Sequence, residues 1–164
     1  MKKIILITAL FLTSAAFLNA ASPLDQLKSL VGSWEGTAKW TGDRTGEYNL
    51  EAVYSLTGNG SAVVENLIAE GQTTMTSVYH MDGGSLRMTH FCGAGNQPRL
   101  IASSFKEGEK ISFKLVDVTN LSSPDAPHVT AVDLNLQSPD TMSITFTFVS
   151  NSKTSVELIQ LHRK

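Results

Sequence analysis

The chain has 164 residues, a near-balanced charge of 13 basic against 15 acidic side chains, and 41% hydrophobic residues, which bounds it to about one domain. No Lys/Arg cluster stands out, so neither nucleic acid nor an anionic membrane surface is an expected partner. One cysteine, Cys92, excludes an internal disulfide and leaves a buried inert thiol, an intermolecular pair or a reactive group.

Residues 1–21 carry the three zones of a secretory signal. Lys2 and Lys3 form a positive start, Ile4 to Leu18 is almost wholly apolar, and Asn19-Ala20-Ala21-Ser22 offers small residues for cleavage. The apolar run is shorter than the ~20 residues of a spanning helix. The expectation is a cleaved signal over 1–21 and a single exported domain over 22–164, periplasmic or secreted, with no membrane insertion afterwards. Without Lys2 and Lys3 the balance is 11 basic to 15 acidic, a net charge of −4.

Ser22-Pro23-Leu24 opens a short helix. Ser22 suits the N-cap, Pro23 the first turn, and Leu24, Leu27 and Leu30 share one face before Gly32 ends it. Ten strand patterns follow, at 33–40, 47–56, 62–69, 73–81, 86–92, 99–105, 110–117, 128–137, 141–149 and 154–163. Turn-forming runs such as Gly58-Asn59-Gly60, Asp82-Gly83-Gly84 and Ser138-Pro139-Asp140 separate many of them. Short connections without crossover helices predict an all-β, up-and-down antiparallel barrel of about ten strands, with a two-sheet sandwich as the alternative.

Alternation assigns faces. Ile111, Phe113 and Leu115 point inward, as do Val132, Leu134 and Leu136 opposite Met142, Ile144, Phe146 and Phe148. Val116-Asp117 breaks the parity and predicts a bulge or strand end, with an inward Asp117 left open. In an up-and-down barrel, loops 41–46, 70–72, 93–98, 118–127 and 150–153 share one end. That end holds the three longest connections and is the expected mouth.

Gly32-Ser33-Trp34 after a short helix, with Arg163 closing the last strand, resembles the calycin group: lipocalins, fatty-acid-binding proteins and nitrobindin-like barrels. The resemblance implies that Trp34 packs under Arg163 and seals the closed end by a cation–π contact. A longer stretch, Tyr79-His80-Met81-Asp82-Gly83 through Leu86-Arg87-Met88-Thr89-His90-Phe91-Cys92 to Gly95-Asn96-Gln97-Pro98-Arg99, resembles a bacterial group of exported calycin-like proteins of unknown function. Nitrobindins hold haem through a histidine in the last strand, where this chain has His162. Their Gly-rich run with Tyr-Pro is replaced here by Gly36-Thr37-Ala38-Lys39-Trp40.

Parity puts Met75, Ser77, Tyr79 and Met81 on one face with Leu86, Met88, His90 and Cys92, the more apolar and therefore inner face. His128 is in step with Val132 and so is expected inside, converging with His90 and Cys92 near the mouth beneath Asn96 and Gln97. The predicted ligand-binding set is Met75, Tyr79, Met88, His90, Cys92, Asn96, Gln97, His128, Phe146 and Phe148. It suits a small hydrophobic molecule. Two alternatives stay open: a haem- or metal-dependent protein using His90, Cys92 and His128, with Met75 as a further donor, and a ligand-free interaction domain. No catalytic set is expected. Glu47, Glu51 and Glu65 share no spacing and are read as a solvated outer face, and the facing of Arg99, Asp117 and His162 is open.

Overall fold

The structure, a computed structural model, describes residues 22–164; the expected signal at 1–21 lies outside them. Helix α1 (Pro23–Lys28) is followed by ten strands: β1 (Gly32–Gly42), β2 (Gly46–Thr57), β3 (Ala62–Ala69), β4 (Gln72–Asp82), β5 (Ser85–Phe91), β6 (Gln97–Lys106), β7 (Lys110–Thr119), β8 (His128–Ser138), β9 (Thr141–Ser150) and β10 (Lys153–Arg163). Each strand pairs antiparallel with its neighbours in sequence, and β1 pairs with β10, so the sheet closes on itself. The expected barrel is present, and closure leaves no free edge.

Closure depends on a glycine. β1 and β10 run in register from Trp34↔Arg163 to Gly42↔Ser155. A Cβ built on Gly36 would lie 1.8 Å from the Gln160 carbonyl oxygen, so only a bare Cα lets these strands approach.

The α1 end is plugged. Ser22 and Asp25 form a reciprocal capping box, and Leu24, Leu27 and Leu30 are buried beneath the barrel. Gln26 Oε1 accepts from the Gly108 amide at 2.7 Å, tying the helix to the β6–β7 turn. Trp34 is fully buried and donates through Nε1 to Leu30 O at 2.8 Å. The Arg163 guanidinium lies 4.3 Å from the Trp34 ring centre and donates to the carbonyls of Val31 and Ser29, each at 3.0 Å. These three contacts of the Arg163 cation join the first strand and the last into one seal.

Inward residues fill most of the interior. Tyr54, Tyr79, Phe113 and Phe146 are among the largest fully buried side chains, with Met88, Leu100, Ile111 and Leu134 between them. Local shifts of register break simple alternation at several points. Val116 is the extra residue between Arg99↔Asp117 and Leu100↔Leu115, and it is exposed. Asp117 therefore points outward, where both carboxylate oxygens accept from Arg99 at 2.6 Å.

A second bulge corrects the placement of His128. Val129 pairs with Phe148 and Ala131 with Thr147, so Thr130 is looped out. Val129, not His128, then takes the buried inward position. His128 sits opposite Val149 and bonds through Nδ1 to the Ala126 carbonyl at 2.8 Å. Glu65 is the second correction: it is fully buried inside the barrel rather than solvated on its outer wall.

Candidate functional site

At the end opposite α1, the inward side chains stop short of the rim and leave a cavity of about 410 Å³. Its walls come from both halves of the chain. Trp40 lies near the end of β1, Arg44 projects from the β1–β2 loop and Tyr48 lies near the start of β2. Met75 from β4, Cys92-Gly93-Ala94 after β5, and Pro127 before β8 form the opposite side. Phe148 of β9 and Glu157 of β10 complete it. This is the end where the long β1–β2, β5–β6 and β7–β8 connections gather, as alternation of loops requires.

The aromatic wall is tightly organised. Trp40 and Phe148 lie 4.8 Å apart between ring centres, tilted by 50°. The Arg44 guanidinium carbon is 5.1 Å from the Trp40 ring and 5.9 Å from the Phe148 ring. Its backbone is fastened, since the Arg44 amide donates to Ser155 Oγ at 3.0 Å. The loop carrying it is further pinned by Lys153–Asp43 at 2.8 Å.

Glu157 brings a carboxyl group into this apolar surface. It is fully buried, and Tyr48 donates its hydroxyl to Oε1 at 2.5 Å. Oε2 has no hydrogen-bond partner among the described residues. Burial raises the Glu157 carboxyl above the usual carboxylate range, against the lowering effects of Tyr48 and the Arg44 charge. The Tyr48 phenol is pushed up in turn, first by burial and then by its carboxylate partner.

One layer deeper lies a closed polar network. Glu65 accepts from Tyr54 at 2.6 Å, from Tyr79 at 3.0 Å and from Ser77 at 3.1 Å. Ser77 Oγ is also 3.0 Å from His90 Nδ1. With the Ser77 proton given to Glu65, the serine accepts from Nδ1–H, which leaves His90 Nε2 as the bare nitrogen. That Nε2 is buried without a partner among the described residues, and the ring lies 5.0 Å from Phe146. Burial lowers the His90 pKa to about 4, so the imidazole is neutral at physiological pH. Burial raises Glu65 despite its three donors.

The predicted ligand-binding residues thus divide by depth. Met75, Cys92 and Phe148 line the cavity. Tyr79, Met88, His90 and Phe146 are fully buried below it. Asn96 is a loop brace, donating through Nδ2 to the Pro127 carbonyl at 2.8 Å. Gln97 is held on the rim, with Oε1 accepting from Thr119 at 2.9 Å. His128 lies outside the cavity, so the expected convergence of two imidazoles and a thiol reduces to His90 beneath Cys92. Cys92 Sγ accepts from the Ala94 amide at 3.4 Å, and burial raises its pKa, so it rests as a thiol.

Alternation held the signal for what the sequence reading missed. Trp34, Ala38 and Trp40 share one parity, as do Ser155, Glu157, Ile159 and Leu161. An acid at an inward position, Glu157 or Glu65, was the mark of a polar group inside. His162 faces outward, 3.2 Å from Glu35, and does not fit a haem ligand inside the barrel. Among the described residues, no group of three or more His, Cys, Asp or Glu side chains is placed to hold a metal ion. A groove of about 540 Å³ on the outer wall runs past Glu35, Glu51 and His162. Two of its carboxylates are already paired, Lys164 reaching Glu35 at 3.4 Å and Glu51 at 2.9 Å.

No protein-family model matches this chain, and no curated protein matches it. Solved structures do. A protein of unknown function from the DUF3598 family of Nostoc punctiforme PCC 73102 superposes with a TM-score of 0.60 at 14% identity, over 85% of this chain and 49% of the other. This chain therefore spans about half the length of that protein. Rv2717c from M. tuberculosis matches with a TM-score of 0.60 at 21% identity, over 87% of this chain and 98% of its own. At these identities the likeness is one of fold: an antiparallel barrel of ten strands.

Proposed function

We propose that this chain is an exported, calycin-like binding barrel whose open end takes a small hydrophobic molecule. One observation carries the reading: a cavity of about 410 Å³ walled by Trp40, Met75, Cys92 and Phe148, at the one end of the barrel that side chains do not fill. That volume is within the ~300–1,000 Å³ range of small-molecule pockets, and apolar walls with a few placed polar groups are their usual make-up. The packed layer of Tyr79, Phe113 and Phe146 forms a floor, so a ligand sits high, under the loops. Export rests on the charged, apolar and small-residue zones of residues 1–21.

The test uses the neutral fluorescent probe N-phenyl-1-naphthylamine. Binding raises probe emission and quenches Trp40, while Trp34, sealed at the far end, is untouched. Met75→Trp fills the cavity and abolishes the response. A wild-type protein that leaves the probe dark, or a Met75→Trp variant that binds it equally well, refutes the proposal. Organic extraction of purified protein followed by mass spectrometry then names the resident molecule.

A second reading, ligation of haem or another metal cofactor, is favoured only by the bare Nε2 of His90. A Soret band on haem titration that His90→Gln removes would select it.

A further inference from the structure

Arg44, Trp40, Phe148 and Glu157 together have the form of a cation cage. Two π faces meet at 4.8 Å, a carboxyl group lies beneath them, and a guanidinium from the protein's own loop is laid over the rings. Arg44 occupies the cage only in part. Its backbone is tied to β10 through Ser155, its side chain is exposed, and Glu157 Oε2 has no partner among the described residues. Among the described residues, no Lys or Arg nitrogen lies within 4.0 Å of Glu157.

We propose that the mouth selects a small organic cation, an amine or guanidine on an apolar body, which enters the Trp40–Phe148 cage, pairs with Glu157 Oε2 and displaces the Arg44 side chain. The inference rests on the binding function proposed above and specifies its ligand class. A buried carboxyl with an empty acceptor oxygen calls for a donor, and a cationic donor gains most where water is excluded. Aromatic faces favour the same charge, because the ring quadrupole is negative above its plane. An anion would meet the carboxyl and both π faces, all unfavourable, and only Arg44 in its favour. Tyr48 is already committed to Oε1, and Oε2, buried without a partner among the described residues, is the acceptor left for a donor that replaces the Arg44 side chain. Arg44 acts as an internal competitor, so the free mouth is covered until a better-fitting cation arrives.

Three probes of matched shape test the proposal: 2-phenylethylamine, 2-phenylethanol and 3-phenylpropanoate, titrated by calorimetry and Trp40 fluorescence at fixed ionic strength. The amine is expected to bind about tenfold or more tighter than the alcohol, the scale of one desolvated cation–π contact, with the acid weakest. Glu157→Gln abolishes the margin of amine over alcohol, and Arg44→Ala, a change at an exposed loop residue, tightens the amine. Equal binding of amine and alcohol, or an unchanged margin in Glu157→Gln, overturns the cation preference while leaving the hydrophobic binding function standing. Tightest binding of the acid reverses the assignment and makes Arg44 the recognition group. If none of the three probes binds and the neutral naphthylamine also stays dark, both proposals fall.

Discussion

Acidification from pH 7 to pH 5 is expected to remove about 2 kcal/mol of stability through His90 alone. The imidazole is fully buried between Ser77 and Phe146, and its pKa falls from the ordinary 6.5 to about 4 in the folded chain. Between those values the unfolded chain binds a proton that the native state refuses. The contribution is therefore complete above pH 6.5, declines as the pH falls, and levels off near pH 4. Glu65 and Glu157 work in the opposite sense, because their raised pKa values make the folded state the better proton acceptor as the pH falls toward 4.5. Urea melts at pH 7 and pH 5 on the wild type and on His90→Gln isolate the histidine, since both carboxyls are present in each protein. The wild type should lose about 2 kcal/mol more than the variant between the two pH values. Parallel losses would refute the buried neutral imidazole. So would a His90 imidazole resonance, assigned by its loss in His90→Gln, that titrates near 6.5 in the folded wild type.

Arg163→Ala removes the guanidinium from Trp34 and from the Val31 and Ser29 carbonyls, at an expected cost of about 2–3 kcal/mol. Thermal melts should fall by about 5–10 °C, and Arg163→Lys, which keeps charge but loses the planar fork, should recover less than half. Gly36→Ala places a methyl group against the Gln160 carbonyl and is expected to destabilise by ~3 kcal/mol or more. Amide exchange should then quicken along β1 and β10 before other strands. Gly84→Ala, where an added Cβ meets nothing within 4 Å, is the matching control and should stay within ~0.5 kcal/mol.

The barrel was legible because a strand with one face buried writes that fact every second residue. Ile111-Phe113 and Ile144-Phe146-Phe148 show it plainly, and turns such as Gly83-Gly84 mark where each run stops. The helix was legible from Ser22, Pro23 and the leucine spacing. His128 was misplaced because a single looped-out residue, Thr130, reverses parity without any compositional mark. The same kind of bulge was legible at Val116, where an apolar residue falls in step with the charged ones and so betrays the shift. The mouth was found from loop lengths, but its carboxyl group was not. Glu157 lies on a strand whose facing depends on one residue of loop, and a buried acid contradicts the usual preference of its type for water. Glu65 was assigned outward for that same reason, although Val63 and Leu67 flank it at inward spacing.

The pairing of β1 with β10 carries a consequence for how the chain is made. The partner of Gly36 is Leu161, so the first strand to emerge from a ribosome waits for the last before its outer hydrogen bonds are filled. At ~5–20 residues per second, synthesis of the intervening segment lasts roughly 6–25 s. Throughout that interval the nascent chain presents a lengthening, open-sided sheet whose ladder is free to recruit a neighbour. A holding chaperone, or a channel that keeps the polypeptide extended until the final strand is delivered, would spare it that exposure.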